Sequence, residues 1–298
     1  MPMFDPKKTE ALMEVVSTGS FEAAAKRLNV TTSAVSQRIR SLEAKMGRSL
    51  LIRSRPCRPT DAGAKLISHF NKKNAMDKEF LKNFLQGANE RLRISIAVNN
   101  DSLSNWLLSV IAEFVYKKDI LVSLIIDDQD YTLGSLESGL ASLAVSSKQD
   151  SISGCTSTYL GCLQYRLACS GVFFEKFFKH GVNVQSLKKA PLLIFGIKDR
   201  LQSDFLFSQL GLLQEACDCH YIPSSEAYYE SILYGVGYGM VPEPKYRKYY
   251  PRGELVDLCP GETSDIPLYL HAWKSQIELH EELCSAIVQA SHDILKKI

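Results

Sequence analysis

Apolar side chains recur at helical spacing through the first fifty residues. Leu12, Val15 and Val16 form one stripe, Phe21, Ala24, Ala25 and Leu28 a second, and Val35, Ile39, Leu42 and Met46 a third. At about 100° per residue each set gathers on one side of a helix. Thr18-Gly19-Ser20 supplies a stop and then a cap. Asn29 ends the second helix, Thr31 or Thr32 can cap the third, and Gly47 stops it. The second helix is short and alanine-rich, which allows the third to cross it closely, as in a helix-turn-helix. With the apolar arc turned inward, Ser33, Ser36, Gln37, Arg40 and Ala44 project outward. That face carries donors and no carboxylate, so it suits base edges and phosphates in the DNA major groove. The alternative is a solvated face of a small helical bundle.

After the third helix, Leu50-Leu51-Ile52 reads as a short strand. Arg53, Arg55 and Arg58 follow, interrupted by Pro56 and Pro59. Prolines keep these arginines out of a helix and favour an exposed loop or ribbon, a basic wing placed to grip the DNA backbone. A long helix is then predicted from Asp61, read as its cap, to Gly87. Leu66 and Phe70 make one apolar step, and Phe80, Leu81, Phe84 and Leu85 another. The polar middle, Asn71 to Asp77, makes a poor heptad but leaves room for an antiparallel dimer contact. A solvated spacer packed on its own domain is the alternative.

Beyond Glu90 the pattern changes. Strands are predicted over 92–98, 120–126, 141–145, 164–169, 192–195, 220–222 and 268–273. Helices are predicted over 104–117, 173–179, 201–210, 226–234 and 276–296. Strand alternating with helix argues for parallel sheets covered on both sides, here as two α/β lobes with a cleft. Ligands of such sheets sit beyond the carboxyl ends of strands. Four such ends are polar: Asn99, Asn100, Asp101 and Ser102; Asp127, Asp128 and Asp130; Ser146 and Ser147; and Ser224, Ser225 and Glu226 at a helix start. Helix-start N–H groups bind a carboxylate and nearby carboxylates bind an amine, so together they suit a zwitterion with an extra cation. Plain capping is the competing account of each serine.

Charge sharpens the division. Residues 1–60 hold 11 lysines and arginines against 5 acids, a balance of +6, and the remaining residues hold 24 against 28, a balance of −4. A basic amino-terminal module on a slightly acidic body points the module toward a polyanion. The start, MPMFDPKKTEALM, has no signal-peptide pattern and no run suits a membrane helix. Eight scattered cysteines include no Cys-x-x-Cys. Cys217-x-Cys219-His220 is poor zinc geometry, so reduced, mostly buried cysteine and a cytoplasmic location are expected. No metal and no cofactor are expected.

The segment GSFEAAAKRLNVTTSAVSQRIRSLEAKMGRSLLIRS, with RPTDAG after it, resembles the winged helix-turn-helix of LysR-type transcriptional regulators. The resemblance implies an all-α winged helix-turn-helix over 1–60 and a linker or dimerisation helix over 61–90. An α/β, periplasmic-binding-protein-like effector domain follows over 91–298, with lobe I at 91–160 and 267–298 and lobe II at 161–266. Thr32, Ser33, Ser36, Gln37, Arg38 and Arg40 would face DNA, with Arg53, Arg55 and Arg58 on the wing. Where relatives commonly carry Gln this chain has Thr32, whose shorter side chain weakens adenine readout.

VNNDSLSNWLL, CHYIPSSEA and PRGELVDLCPG, with RPCRPTDAG, are similar to the ArgP/LysG branch of that family, which senses lysine or arginine. The branch implies Asp101, Asp128 and Glu226 as acceptors for the effector's cation. Ser102, Ser146 and Ser224 would hold its carboxylate, with Asn100 and Ser225 beside them. It also implies double-stranded promoter DNA, a homodimer or homotetramer, and RNA polymerase as partners. The genes implied are those of amino-acid export or lysine metabolism.

Two rivals stand against a regulator. A DNA-architectural protein would keep the α/β body only as a scaffold. An enzyme would need a motif the chain lacks: there is no Gly-x-Ser-x-Gly, phosphate loop or dinucleotide fingerprint. Gly235-x-Gly237-x-Gly239 runs into Met240 and reads as a helix stop entering a strand. His280-Glu281 is followed by Cys284 where a zinc protease needs histidine.

Overall fold

The computed structural model describes residues 4–84, 91–128, 132–152, 154–196, 199–274 and 278–297. They form two compact units. The smaller comprises 1–96, 120–123 and 133–143, and the larger 97–119, 124–132 and 144–298.

The smaller unit opens with α1 (Pro6–Thr18), α2 (Phe21–Arg27) and α3 (Thr32–Met46). Each begins on a side-chain cap: Asp5 accepts from Lys7 N, Ser20 from Ala23 N and Thr31 from Ala34 N. Thr31, not Thr32, is the cap of α3, which leaves Thr32 exposed. Ala11, Leu12, Val15, Ala24, Ala25, Val35, Ile39 and Leu42 make one core with Leu50 and Leu51. Met46 departs from the predicted arc: it lies in the last turn of α3 and is 38% exposed. The wing is a two-stranded antiparallel ribbon, β1 (Leu51–Ile52) and β2 (Arg58–Pro59), pairing Leu51 with Pro59. It is tied to the α1–α2 turn where Cys57 N donates to the Gly19 carbonyl at 2.8 Å.

Helix α4 (Asp61–Phe84) follows. Asp61 is its first residue and not its cap, because Thr60 Oγ1 accepts from Gly63 N at 3.1 Å. Leu66, Ile67 and Phe70 pack into the core of the first three helices. The second apolar step, Phe80 to Leu85, lies outside the described side chains. Gly63 is where α4 passes the wing. A Cβ there would stand 2.0 Å from the Leu50 carbonyl oxygen.

The body continues with β3 (Arg93–Val98), α5 (Asn100–Ser102), a π-helical turn (Leu103–Leu107), α6 (Leu108–Lys118), β4 (Leu121–Ile126), α7 (Thr132–Glu137) and β5 (Leu143–Ser146). Then come β6 (Cys155–Ser170), α8 (Gly171–Phe177), α9 (Val184–Lys189), β7 (Leu192–Ile194), α10 (Leu201–Leu210) and β8 (Cys219–Tyr221). The chain ends through α11 (Ser225–Leu233), β9 (Gly239–Pro242), α12 (Glu243–Tyr249), β10 (Leu255–Asp257), β11 (Ser264–Trp273) and α13 (Glu278–Ile294). The main sheet runs β10-β6-β11-β5-β3-β4, with β9 also on β6, while β7 and β8 pair in parallel.

The expectation of parallel sheets fails at β6. This strand has 16 residues, far longer than the predicted 164–169, and pairs antiparallel with β11, β9 and β10 in turn. Its first half alternates exposed Thr156 and Thr158 with neighbours, so no continuous apolar run marks it in the sequence. The glycine series resolves as packing. A Cβ on Gly239, at the start of β9, would stand 2.1 Å from the Tyr228 hydroxyl. Of the eight cysteines, Cys155, Cys162 and Cys169 are buried and the other five are half-buried, short of the mostly buried expectation; none forms a disulfide. No group able to hold a metal occurs among the described residues.

Replacing Gly63 with alanine overpacks the junction of α4 and the wing. The expected cost is about 1–3 kcal/mol, read as a lower urea midpoint for the loss of DNA binding.

Candidate functional site

Two surfaces carry the predicted chemistry. On α3, Thr32, Ser33, Gln37 and Arg40 are exposed, while Ser36 and Arg38 are half-buried. The wing arginines are not equivalent. Glu43, on the same helix, accepts from Leu50 N at 2.9 Å and Ser49 Oγ at 3.2 Å, and its other oxygen lies 3.5 Å from Arg53 Nη2. Arg53 also stands over the Phe21 ring at 5.8 Å. Its guanidinium therefore fastens the wing to the helices. Arg55 and Arg58 are exposed, with no ion pair among the described contacts.

The second surface is a cavity of about 640 Å³ in the larger unit, beyond the carboxyl ends of β3, β4, β7 and β8. Ligand sites of α/β sheets occur at such ends. Asp127 N bonds the Val98 carbonyl at 3.3 Å, which sets the acids after β4 beside the end of β3. Four carboxylates line the cavity, Asp101, Asp127, Asp128 and Asp199, and no lysine, arginine or histidine is among its described lining. Phe195, Tyr221, Tyr165, Tyr228 and Tyr229 supply aromatic walls.

Asp101 is the most heavily bonded of the four. Oδ2 accepts from the Tyr165 hydroxyl at 2.8 Å. Oδ1 accepts from the Tyr229 hydroxyl at 2.6 Å and from Ser225 Oγ at 3.4 Å. Burial raises its carboxyl above the usual range, opposed by those three hydrogen bonds and more distantly by Lys245. Burial and the Asp101 charge hold the Tyr165 and Tyr229 phenols well above their usual range, so both remain donors. Asp199 is also raised by burial, against bonds from Leu201 N at 3.0 Å and Phe195 N at 3.4 Å, with Asp128 and Asp101 adding to the rise.

Of the predicted effector residues, Asn100, Asp101, Asp128 and Ser225 line this cavity. Four do not. Ser102 is fully buried, and so is Ser146, which accepts from Lys148 N at 3.2 Å. Ser224 precedes α11 without a side-chain cap bond, and Glu226 points to solvent. Around the start of α11, Ser225 is half-buried and donates to Asp101, while Ser224 and Glu226 on either side are exposed. Asp130 lies outside the described residues. Tyr165, Tyr228, Tyr229, Asp199 and Gln202 were not anticipated. The only signal for the tyrosines was their hydroxyls at otherwise apolar positions, which need partners when buried.

A winged helix-turn-helix, a long helix and an α/β body with an acidic cavity define an effector-responsive DNA-binding regulator. Residues 6–64 match the model of the bacterial regulatory helix-turn-helix proteins of the lysR family. The chain is 36% identical to the HTH-type transcriptional regulator ArgP of Pseudomonas aeruginosa, over 100% of this chain and 99% of that protein. The crystal structure of ArgP from Mycobacterium tuberculosis matches 99% of this chain and 100% of its own, with a TM-score of 0.85 at 32% identity. Full-length LysG from Corynebacterium glutamicum, solved with bound effector arginine, matches 98% of this chain and 100% of its own, with a TM-score of 0.78 at 28% identity. The chain belongs to the LysR family and is a transcriptional regulator, not an enzyme. No described helix is long and apolar enough to cross a membrane.

The raised carboxyls give a pH signature. A group that holds its proton more tightly when folded contributes stability below its unfolded value, and that contribution is lost as pH rises through the folded value. From pH about 4 toward neutrality, the melting temperature of the unsubstituted ligand-free protein is therefore expected to fall relative to that of Asp101→Asn. Parallel pH profiles for the two proteins would refute this assignment.

Proposed function

We propose that this protein binds double-stranded promoter DNA as a homodimer or homotetramer and responds to a basic amino acid, lysine or arginine, held in the acidic cavity. The observation that carries the effector reading is four lining carboxylates with no cation among the described lining. A like-charged cluster in a partly desolvated cavity is relieved by a ligand of net positive charge, whereas an amino acid without a side-chain cation brings its α-ammonium with an equal and opposite carboxylate. LysG, with arginine bound, supports the same reading. Asp101, Asp128 and Asp199 are assigned to the cationic end. Asn100 and Ser225 are assigned as polar contacts.

On the DNA side, Thr32, Ser33, Ser36, Gln37, Arg38 and Arg40 are assigned to the groove. Arg55 and Arg58 are assigned to phosphate. Two recognition helices in a dimer address half-sites about 34–36 Å apart or a multiple of that. Amino-acid export or lysine metabolism genes as targets, RNA polymerase as a partner and the cytoplasm as the location belong to the same proposal.

Calorimetry of the full chain against the twenty amino acids tests the effector. Heat is expected from lysine or arginine, with a changed DNA footprint when that amino acid is present. Silence from both, with an unchanged footprint, would leave the architectural reading. Arg58→Ala is expected to weaken all DNA sequences alike and to flatten the log–log salt dependence by about one unit, whereas Gln37→Ala should cost about 1–3 kcal/mol on the specific site only. Filter binding across a salt series separates the two outcomes.

A further inference from the structure

Gln202 lies in the first turn of α10, lines the cavity and is 2% exposed. Its amide nitrogen is already committed, donating to the Tyr228 hydroxyl at 2.9 Å. That hydroxyl determines which way the amide faces. Tyr228 Oη accepts from Met240 N at 3.1 Å and gives its one proton to the Leu193 carbonyl at 3.4 Å. Its remaining lone pair can only accept, so Gln202 turns Nε2 toward it. Gly239 makes the arrangement possible, since any Cβ there would strike the same hydroxyl.

The other end of the amide is left over. Gln202 Oε1 is buried and has no hydrogen-bond partner. A buried acceptor without a donor is costly, and ligand-binding sites are where native proteins keep such groups. Asp199 stands three residues earlier on the same cavity wall, so the neighbourhood accepts hydrogen bonds and attracts positive charge. We propose that Gln202 is a specificity-determining residue, its Oε1 accepting an N–H from the cationic end of the bound amino acid, with Tyr228 as the positioning residue that fixes the amide. The proposal rests on the basic amino-acid reading of the cavity.

The test is calorimetric titration of the full-length protein with arginine and with lysine. Gln202→Met removes the acceptor at nearly constant volume and is expected to weaken arginine binding about ten- to a hundredfold, the worth of a hydrogen bond to a charged group. Gln202→Glu keeps an acceptor, adds negative charge and is expected to bind arginine at least as tightly as the unsubstituted protein. Tyr228→Phe leaves Gln202 in place but releases its amide. It should lose less than Gln202→Met, and the double variant should be no weaker than Gln202→Met alone. Melting temperatures without ligand establish that each variant folds.

The proposal is overturned if Gln202→Met binds arginine within about twofold of the unsubstituted protein. It is also overturned if Gln202→Glu loses binding as steeply as Gln202→Met, because a carboxylate repels the ligand's carboxylate and not its cation. Should the unsubstituted protein bind neither amino acid, the effector reading itself fails. Binding that is indifferent to both substitutions defeats only the role of Gln202.

Discussion

Removing a carboxylate from water costs several kcal/mol unless protein donors replace the lost hydration. Asp101 offsets part of that cost with hydroxyls from two other elements, Tyr165 on β6 and Tyr229 and Ser225 on α11. Those bonds join α5, the long strand and α11 around one atom pair. They also fix the hydroxyl directions, because phenols pushed above their ordinary range by burial and by the Asp101 charge stay protonated. The cavity's shape follows from keeping this one group satisfied. Its chemistry follows from the three other acids placed beside it, with no cation among the described lining.

The DNA-facing end obeys a similar economy with the signs reversed. Glu43 turns away from the outer face of α3 and collects Leu50 N, Ser49 Oγ and the Arg53 guanidinium. A carboxylate that would repel phosphate is thereby neutralised and used as the hinge pin of the wing. Arg53 shares its guanidinium with that carboxylate, while Arg55 and Arg58 make no ion pair among the described contacts. Of three arginines in six residues, one is tied to Glu43 and Phe21 and two are exposed. Spacing alone cannot draw that distinction, because a strand pairing brings Arg53 back to α3.

What the sequence disclosed divides along the same line. The helices of the amino-terminal unit were legible because their apolar period, caps and glycine stops all act within a few residues. The polar strand ends were legible for the same reason, and Asp101, Asp128, Asn100 and Ser225 do line the cavity. The tyrosines were not legible. Tyr165 lies 64 residues from Asp101 and Tyr229 lies 128 residues from it, so neither period nor spacing connects them. Strand β6 was cut short because its exposed threonines hide a half-buried strand. Ser102 and Ser146 are fully buried and Ser224 and Glu226 are exposed, because residue type at a strand end or helix start does not give the direction its side chain faces.

These two ends need only a modest free-energy difference to communicate. A ligand shifts an equilibrium by no more than its unequal affinity for the two arrangements, and about 1.4 kcal/mol changes a population ratio tenfold. The Asp101 bonds supply a term of that size, since a hydrogen bond to a charged group is worth about 1.5–3 kcal/mol. Two of them reach from α5 to α11, elements on different walls of the cavity. Under the proposed basic effector, a cation beside these acids would compete with Tyr229 and Ser225 for the same oxygen, or would strengthen their hold by keeping Asp101 ionised. Either outcome changes how firmly α5 and α11 are joined. On that proposal binding and rearrangement would be one event at one carboxylate, with no separate relay inside the cavity.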